Sequence, residues 1–153
     1  MTMLITVAVG EDDFSVGTKL RQLHALNPAV GAVANFVGYV RDINNDKDVD
    51  ILELEHYPGM TEAAITEIAE QAGEKWNLIG IDVYHRVGKL KPTDQIVFVA
   101  VASAHRGDSF AACEFIMDYL KTSAPFWKKE LGEDGESWVQ QRQSDVDAAN
   151  RWS

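Results

Sequence analysis

Three lysines, Lys121, Lys128 and Lys129, stand beside Phe126 and Trp127 within the run Met117-Asp118-Tyr119-Leu120-Lys121-Thr122-Ser123-Ala124-Pro125-Phe126-Trp127-Lys128-Lys129-Glu130. The chain carries a formal net charge of -10, so cations gathered here run against its overall balance and point to a small anionic ligand. On a helical projection Lys121 shares a sector with Phe110, Cys113, Met117 and Leu120, an apolar stripe. A lysine on such a stripe snorkels or lines a pocket. The plainer alternative is a last-turn lysine that complements a helix C-terminus.

A second group is Ser103-Ala104-His105-Arg106-Gly107-Asp108-Ser109. It falls where an apolar strand pattern passes into a helical one, and open backbone N–H groups at such a junction favour anions. Arg106 offers a planar fork matched to phosphate, and His105 donates a hydrogen bond or moves a proton near neutral pH. A phosphate-bearing ligand fits both. The alternative is a surface loop with Arg106 paired to Asp108. Arg41, closing Gly38-Tyr39-Val40-Arg41, adds to a phosphate cleft if it points there and is otherwise a solvated strand-end arginine.

Distance limits how these groups combine. Gly107 to Lys121 is fourteen helical steps, roughly 21 Å at 1.5 Å per residue. Either a long ligand bridges both ends of that helix, or the His105-Arg106 end of one subunit meets the Lys121-Lys128 end of another in a symmetric dimer. The second arrangement is the expectation.

Other candidate chemistries are weaker. Asp42, Asn44, Asp46, Asp48, Asp50 and Glu53 match the ligand positions of a calcium loop, but Lys47 occupies the place of the turn glycine and the flanks read as strands. A solvated acidic loop is expected, and no metal. His24, His56 and His85 form no zinc signature, and His56 and His85 read as satisfied near-core residues. Cys113, the single cysteine, lies on the apolar helix face, where it acts as a small hydrophobe. No dinucleotide fingerprint, phosphate-loop or nucleophile-elbow motif is present, and no cofactor is called for.

At 153 residues, 46% hydrophobic and 25% charged, residues 1–153 read as a single domain. The acidic balance argues against nucleic acid or an anionic membrane as partner and fits a cytoplasmic protein. Met1 to Gly10 lacks the features of a signal peptide, and the run Ile96 to Ala102 is too short to span a bilayer.

The elements that must position the candidates follow from hydrophobic period and punctuation. Strands are expected over 3–9, 32–41, 51–57, 79–86 and 95–104, the last apolar on both faces and so central in its sheet. Helices are expected over 15–26, 61–76 and 109–122, the last capped by Asp108 or Ser109 and stopped by Pro125. Residues 42–50 read as a mobile loop, 126–131 and 136–139 as a hairpin, and a short helix closes the chain. The order implies an α+β domain with a mixed sheet and packed helices.

Taken together, Gly38-x-Val40-Arg41, Leu54-Glu55-His56-Tyr57-Pro58-Gly59-Met60, His85-Arg86-x-Gly88, Ser103-Ala104-His105-Arg106 and the Met117–Glu130 run resemble the large, catalytic subunit of molybdopterin synthase. The resemblance implies an α/β-hammerhead fold and a homodimer that binds a small ubiquitin-like sulfur-carrier subunit at each end, giving a heterotetramer. The carrier would end in a Gly-Gly thiocarboxylate. Two sulfurs would pass successively to cyclic pyranopterin monophosphate, forming the dithiolene of molybdopterin.

By the same resemblance Lys121 and Lys128 are the expected catalytic lysines. Arg41, His105 and Arg106 would hold the substrate phosphate and pterin, with Lys129 and Glu130 bordering the pocket. Because the thiocarboxylate is itself the sulfur nucleophile, the chain needs no reactive cysteine. It must supply charge and orientation, and a lysine desolvated near other cations suits proton transfer or stabilisation of developing negative charge. Two competing readings share the residues. One is a non-catalytic dimeric module that binds a phosphorylated metabolite or a partner's tail. The other is a thiol hydrolase using Cys113 and His105, which requires an exposed thiol.

Overall fold

The structure is a computed structural model and describes residues 3–44, 47–132 and 135–153. The elements run β1 (Leu4–Gly10), α1 (Val16–His24), β2 (Ala32–Tyr39), β3 (Ile43–Asn44), β4 (Lys47–Asp48), β5 (Ile51–His56), α2 (Met60–Lys75), β6 (Leu78–Arg86) and β7 (Gly88–Leu90). They continue with β8 (Gln95–Ser103), α3 (Arg106–Ser123), β9 (Phe126–Gly132), β10 (Gly135–Trp138) and α4 (Gln143–Asn150).

Among the described residues the strands form two four-stranded sheets and a small ladder. The first sheet, ordered β1-β6-β8-β2, is mixed: β1 runs parallel to β6, while β6 and β2 both run antiparallel to β8. Val97, Val99 and Val101 of β8 face one hydrophobic layer, built with Ile65, Ile68 and Ala72 of α2 and Phe115, Ile116 and Leu120 of α3. Phe98, Ala100 and Ala102 face the other, against Leu23 of α1. Helices on both faces explain why β8 is apolar throughout and interior to its sheet. The second sheet, β10-β9-β5-β7, is antiparallel and buries Leu52, Leu54 and Leu90 with Val40 and Val87.

Two buried contacts set where β9 begins. Helix α3 ends at Ser123, ahead of Pro125, as the ring's exclusion of the α region from the preceding residue requires. The wholly buried Thr61 then donates its hydroxyl to the Pro125 carbonyl at 2.9 Å and accepts the Tyr57 N–H at 2.9 Å. One side chain thus ties the start of α2 to the turn that launches β9. At the other end of α3, a Cβ on Gly31 would lie 2.2 Å from the Ala104 carbonyl oxygen, so only glycine allows β2 to begin against the end of β8.

The C-terminus docks on α3. The Trp152 indole donates to Asp118 at 2.6 Å, Arg151 bonds Asp118 at 2.9 Å and pairs with Glu114, and the Trp152 ring packs edge-on against Trp76 and Phe115. That clamp brings the residues just before α4 over the open end of α3.

Four expectations need correction. Helix α3 starts at Arg106, with the extended His105 as N-cap, so Asp108 and Ser109 lie inside its first turn, where the Ser109 hydroxyl donates back to the Arg106 carbonyl at 2.9 Å instead of capping. Residues 42–50 are not a free loop: β3 pairs with β4, and the buried Val49 donates its N–H to the Asp42 carbonyl at 2.7 Å. Phe110 is exposed; α3 packs on β8, β2, α2 and α4, so its inward arc is set by Ala112, Phe115 and Ile116 as well as Cys113 and Leu120. The strands after residue 51 divide between two sheets, with β7 an additional short strand too brief to show a period. Asp46 of the calcium pattern and the hairpin-turn residues Glu133 and Asp134 lie outside the described residues.

Candidate active site

Alternation along β9 decides which of its residues share a site. Phe126, Lys128 and Glu130 point to one face, and that face lines a cavity of about 680 Å³ opening between the sheets. Lys121 enters it from the last turn of α3, Arg41 from the segment after β2, His85 from β6 and Arg142 from the N-cap of α4. Each comes from the end of an element or from a strand face that the core leaves open.

Lys128 is set into this wall. Burial pushes its pKa down to about 8, the nearby Lys121 charge pushes the same way, Asp145 opposes and Arg142 adds to the lowering. A buried ammonium near a second cation is poorly solvated and repelled, so its neutral form becomes accessible near physiological pH. Lys121, by contrast, is an exposed side chain on the cavity rim.

A hydrogen-bonded chain closes the far side. Asn44 of β3 donates from Nδ2 to Glu130 Oε1 at 2.7 Å, and its Oδ1 accepts from Arg142. Gln141 donates from Nε2 to the carbonyls of Lys121 and Thr122, at 3.2 and 3.1 Å. Those carbonyls are among the acceptors a helix end leaves free, so the segment before α4 is held against the lysine-bearing end of α3.

His85 forms the floor. It is 7% exposed, its ring stacks on Phe126 with centroids 3.9 Å apart, and Nδ1 bonds the Arg86 carbonyl at 2.7 Å. Burial, opposed by the Arg86 bond and reinforced by Lys128, Lys121 and His56, pushes its pKa down to about 3.

Of the residues expected at the site, Arg41, Lys121, Lys128 and Glu130 are brought together and three are not. Lys129 stands on the opposite face of β9, paired with Glu136 at 3.0 Å and 5.3 Å from the centre of the Trp138 ring. Strand alternation puts it there, a period-two signal already present in the sequence. His105 and Arg106 are exposed at the far end of α3 and line no part of this cavity. His85, Asn44, Arg142 and Asp145 were not expected. His85 carries a strand-period signal, whereas nothing local distinguishes Asn44 or Arg142.

Cys113 is buried away from the cavity, with Sγ 3.8 Å from the Val99 carbonyl oxygen, and burial pushes its pKa up to about 12. That removes the thiol-hydrolase reading, since a thiol so rarely ionised is a poor nucleophile. Among the described residues no group of three His, Cys, Asp or Glu side chains is arranged to hold a metal ion. No helix among them is long and apolar enough to cross a membrane. Two lysines, two arginines and a shielded floor can bind a carboxylate, thiocarboxylate or phosphate, and Lys128 can exchange a proton with it.

Comparison with known proteins converges on one family. The family model described as MoaE protein matches residues 9–123. A molybdopterin synthase catalytic subunit of Ralstonia nicotianae is 57% identical over 147 residues, covering 96% of this chain and 84% of that relative. The subunit of the same name from Pseudomonas aeruginosa is 52% identical over 148 residues, covering 97% and 99%. The solved structure of a molybdopterin biosynthesis MoaE protein from Burkholderia ambifaria superposes with a TM-score of 0.84 at 53% identity, covering 97% of this chain and 98% of the other.

Proposed function

This chain belongs to the MoaE protein family, and we propose from that premise that its lysine-lined cavity is the site of a sulfurtransferase, the catalytic subunit of a molybdopterin synthase. The observation that carries the reading is the convergence of Lys121, Lys128, Arg41 and Arg142 on one cavity, where burial and the Lys121 charge push the Lys128 pKa down to about 8.

The partner is a small ubiquitin-like carrier whose Gly-Gly thiocarboxylate tail enters the cavity, and the substrate is cyclic pyranopterin monophosphate. The tail's sulfur forms the new bond to a substrate carbon as that carbon's bond to oxygen breaks, one of the two cleavages opening the cyclic phosphate to a monoester and the other releasing water. Its acyl–sulfur bond must then break, with water supplying the oxygen that returns the tail as a carboxylate. Two such transfers create the dithiolene of molybdenum cofactor biosynthesis. Lys121 and Arg41 offset the negative charge of tail and phosphate, and Lys128, able to lose and regain a proton near pH 8, serves the proton transfers that accompany acyl cleavage. The Asn44-linked Glu130 and Arg142 hold the opposite wall.

His105 and Arg106 sit at the opposite end of α3 from Lys121 and line no part of the cavity. Their place in this reading is the substrate-phosphate site of a second copy, in a homodimer that carries one small subunit at each end. The assembly is cytoplasmic.

The test mixes the chain with thiocarboxylated carrier and cyclic pyranopterin monophosphate and follows dithiolene product. Wild type is expected to form it and Lys121→Ala to form none while keeping its melting temperature. Carrier binding without product from wild type would instead favour a non-catalytic binding module.

A further inference from the structure

His85 is a cavity residue with no assigned part in the transfer just described. Its Nδ1 lies 2.7 Å from the Arg86 carbonyl oxygen. A carbonyl only accepts, so Nδ1 carries the proton and Nε2 of the neutral ring holds a free lone pair. The Nδ1 contact is the ring's hydrogen bond, and among the described residues every buried side-chain nitrogen or oxygen has a partner. Nε2 therefore reaches accessible space, and the space that His85 lines is the cavity.

We infer that His85 Nε2 is a ligand-contacting hydrogen-bond acceptor that selects an N–H donor next to the anionic group bound by the lysines. The inference rests on the sulfur-transfer reading for the identity of that ligand.

Geometry makes the contact selective. The ring is fixed on two sides, by its stack on Phe126 with planes 21° apart and by the Arg86 bond, so Nε2 cannot swing away from the cavity. Arg41, Lys121, Lys128 and Arg142 present donors only, which match an anion and discriminate little among anions. Glu130 is engaged by Asn44 and carries charge that repels an anionic ligand. A neutral acceptor on the floor recognises an N–H without that repulsion, and a ligand lacking the N–H leaves the lone pair unmatched in a shielded place. Burial beside Lys128 and Lys121 resists protonation of the ring, which preserves its acceptor character in the presence of the anion.

Two ligands of the proposed reaction have an N–H close to an anionic group: the pterin ring system of cyclic pyranopterin monophosphate and the last peptide bond of the Gly-Gly tail. Calorimetric titration separates them. Wild type, His85→Phe, His85→Asn and His85→Gln are each titrated with cyclic pyranopterin monophosphate and, separately, with the carrier in its carboxylate form. His85→Phe keeps a ring to stack on Phe126 and loses the acceptor. His85→Asn keeps a donor for the Arg86 carbonyl and withdraws the acceptor from the cavity, so it carries the test if the phenylalanine variant does not fold.

Affinity for one of the two probes is expected to fall about ten- to hundredfold in the Phe and Asn variants. His85→Gln, whose amide oxygen reaches about as far as Nε2, is expected to recover most of it. The responding arm identifies the N–H. Unchanged affinity in both arms overturns the contact and leaves the sulfur-transfer reading standing. Failure of wild type to bind either probe overturns both.

Discussion

Lys128 of β9 and Lys121 of α3, seven residues apart in the chain, reach the wall of one cavity, and their mutual repulsion adds to burial in holding the Lys128 pKa at about 8. The turn at Pro125, fixed by Thr61, is what reverses the chain between them. Folding has thus placed two like charges together in a half-buried wall, an arrangement that costs stability and supplies a titratable amine.

Removing one charge should move the other. In Lys121→Gln the apparent pKa of Lys128 is expected to rise from about 8 toward the ordinary lysine value, because the repelling cation is gone. Acylation of Lys128 by an amine-selective reagent, followed by mass spectrometry across pH 6–11, reads this directly. A midpoint that stays put or falls would show that Lys121 does not set the Lys128 charge.

Lys128→Met should trade activity for stability. The folded pKa of Lys128 lies below its unfolded value, so the folded state binds fewer protons between about 8 and 10.5 and wild-type stability gains from this group as pH rises through that window. Below pH 8 the buried charge is a cost, relieved by methionine to the extent of about 1–3 kcal/mol. Urea midpoints are expected to be higher for the variant at pH 7, with the gap closing by pH 10, while turnover falls more than a hundredfold.

Asn44→Ala tests the far wall. The substitution removes the bond to Glu130 at 2.7 Å and the bond from Arg142, releasing both groups from their fixed positions. Steady-state kinetics should show KM raised several-fold with kcat changed less than about threefold, as expected when ground-state positioning is lost. Melting should shift little, since Asn44 is partly exposed.

Lys19→Met probes the outer layer of the fold. Asp82 is buried and its carboxylate lies 3.4 Å from the Lys19 ammonium, which also sits over the Tyr84 and Phe98 rings. Burial raises the Asp82 pKa and Lys19 opposes that rise. Without Lys19 the carboxylate is stranded, at about 2–4 kcal/mol near pH 7. A folded pKa above the unfolded value gives stability at low pH that is lost as pH rises through it, so the deficit against wild type should shrink on acidification from pH 7 to pH 4.

Native Cys113 should resist thiol reagents. With its pKa pushed up to about 12 by burial, the thiolate is scarce at pH 8, and modification is expected to be more than a hundredfold slower than in urea-unfolded chain. Rapid labelling of the native protein would mean that the α3–β8 contact opens.

Much of the frame was legible along the chain. The 3.6-residue period of α2, the double-faced apolar run of β8 and the stop imposed by Pro125 each express a local constraint, and the structure realises each. The resemblance in the blocks around Arg41, His56, His85, Arg106 and Lys128 pointed to the family that the comparisons then established. The start of α3 is not legible from residue type, because Ser109, a good capping residue, lies inside the first turn and turns its hydroxyl to Arg106. Residues 42–50 read as a loop because a two-residue ladder has no period to detect; its order comes from Val49 entering the core.

The site divides in the same way. Residue type and spacing single out Lys121 and Lys128 as the cations to follow, while the expectation that Lys129 borders the pocket passes over the strand alternation that turns it away from Lys128. What brought Asn44, His85 and Arg142 to the same cavity was the docking of a small ladder, a central strand and a C-terminal helix that are distant in sequence. Such contacts depend on how whole elements pack, through the Trp152–Asp118 clamp and the Thr61–Pro125 bond among others. The same packing sets how far the Lys128 charge is desolvated and which nitrogen of His85 meets the ligand. Local sequence encodes the side chain and its face; burial, neighbouring charge and direction exist only once the elements have come together.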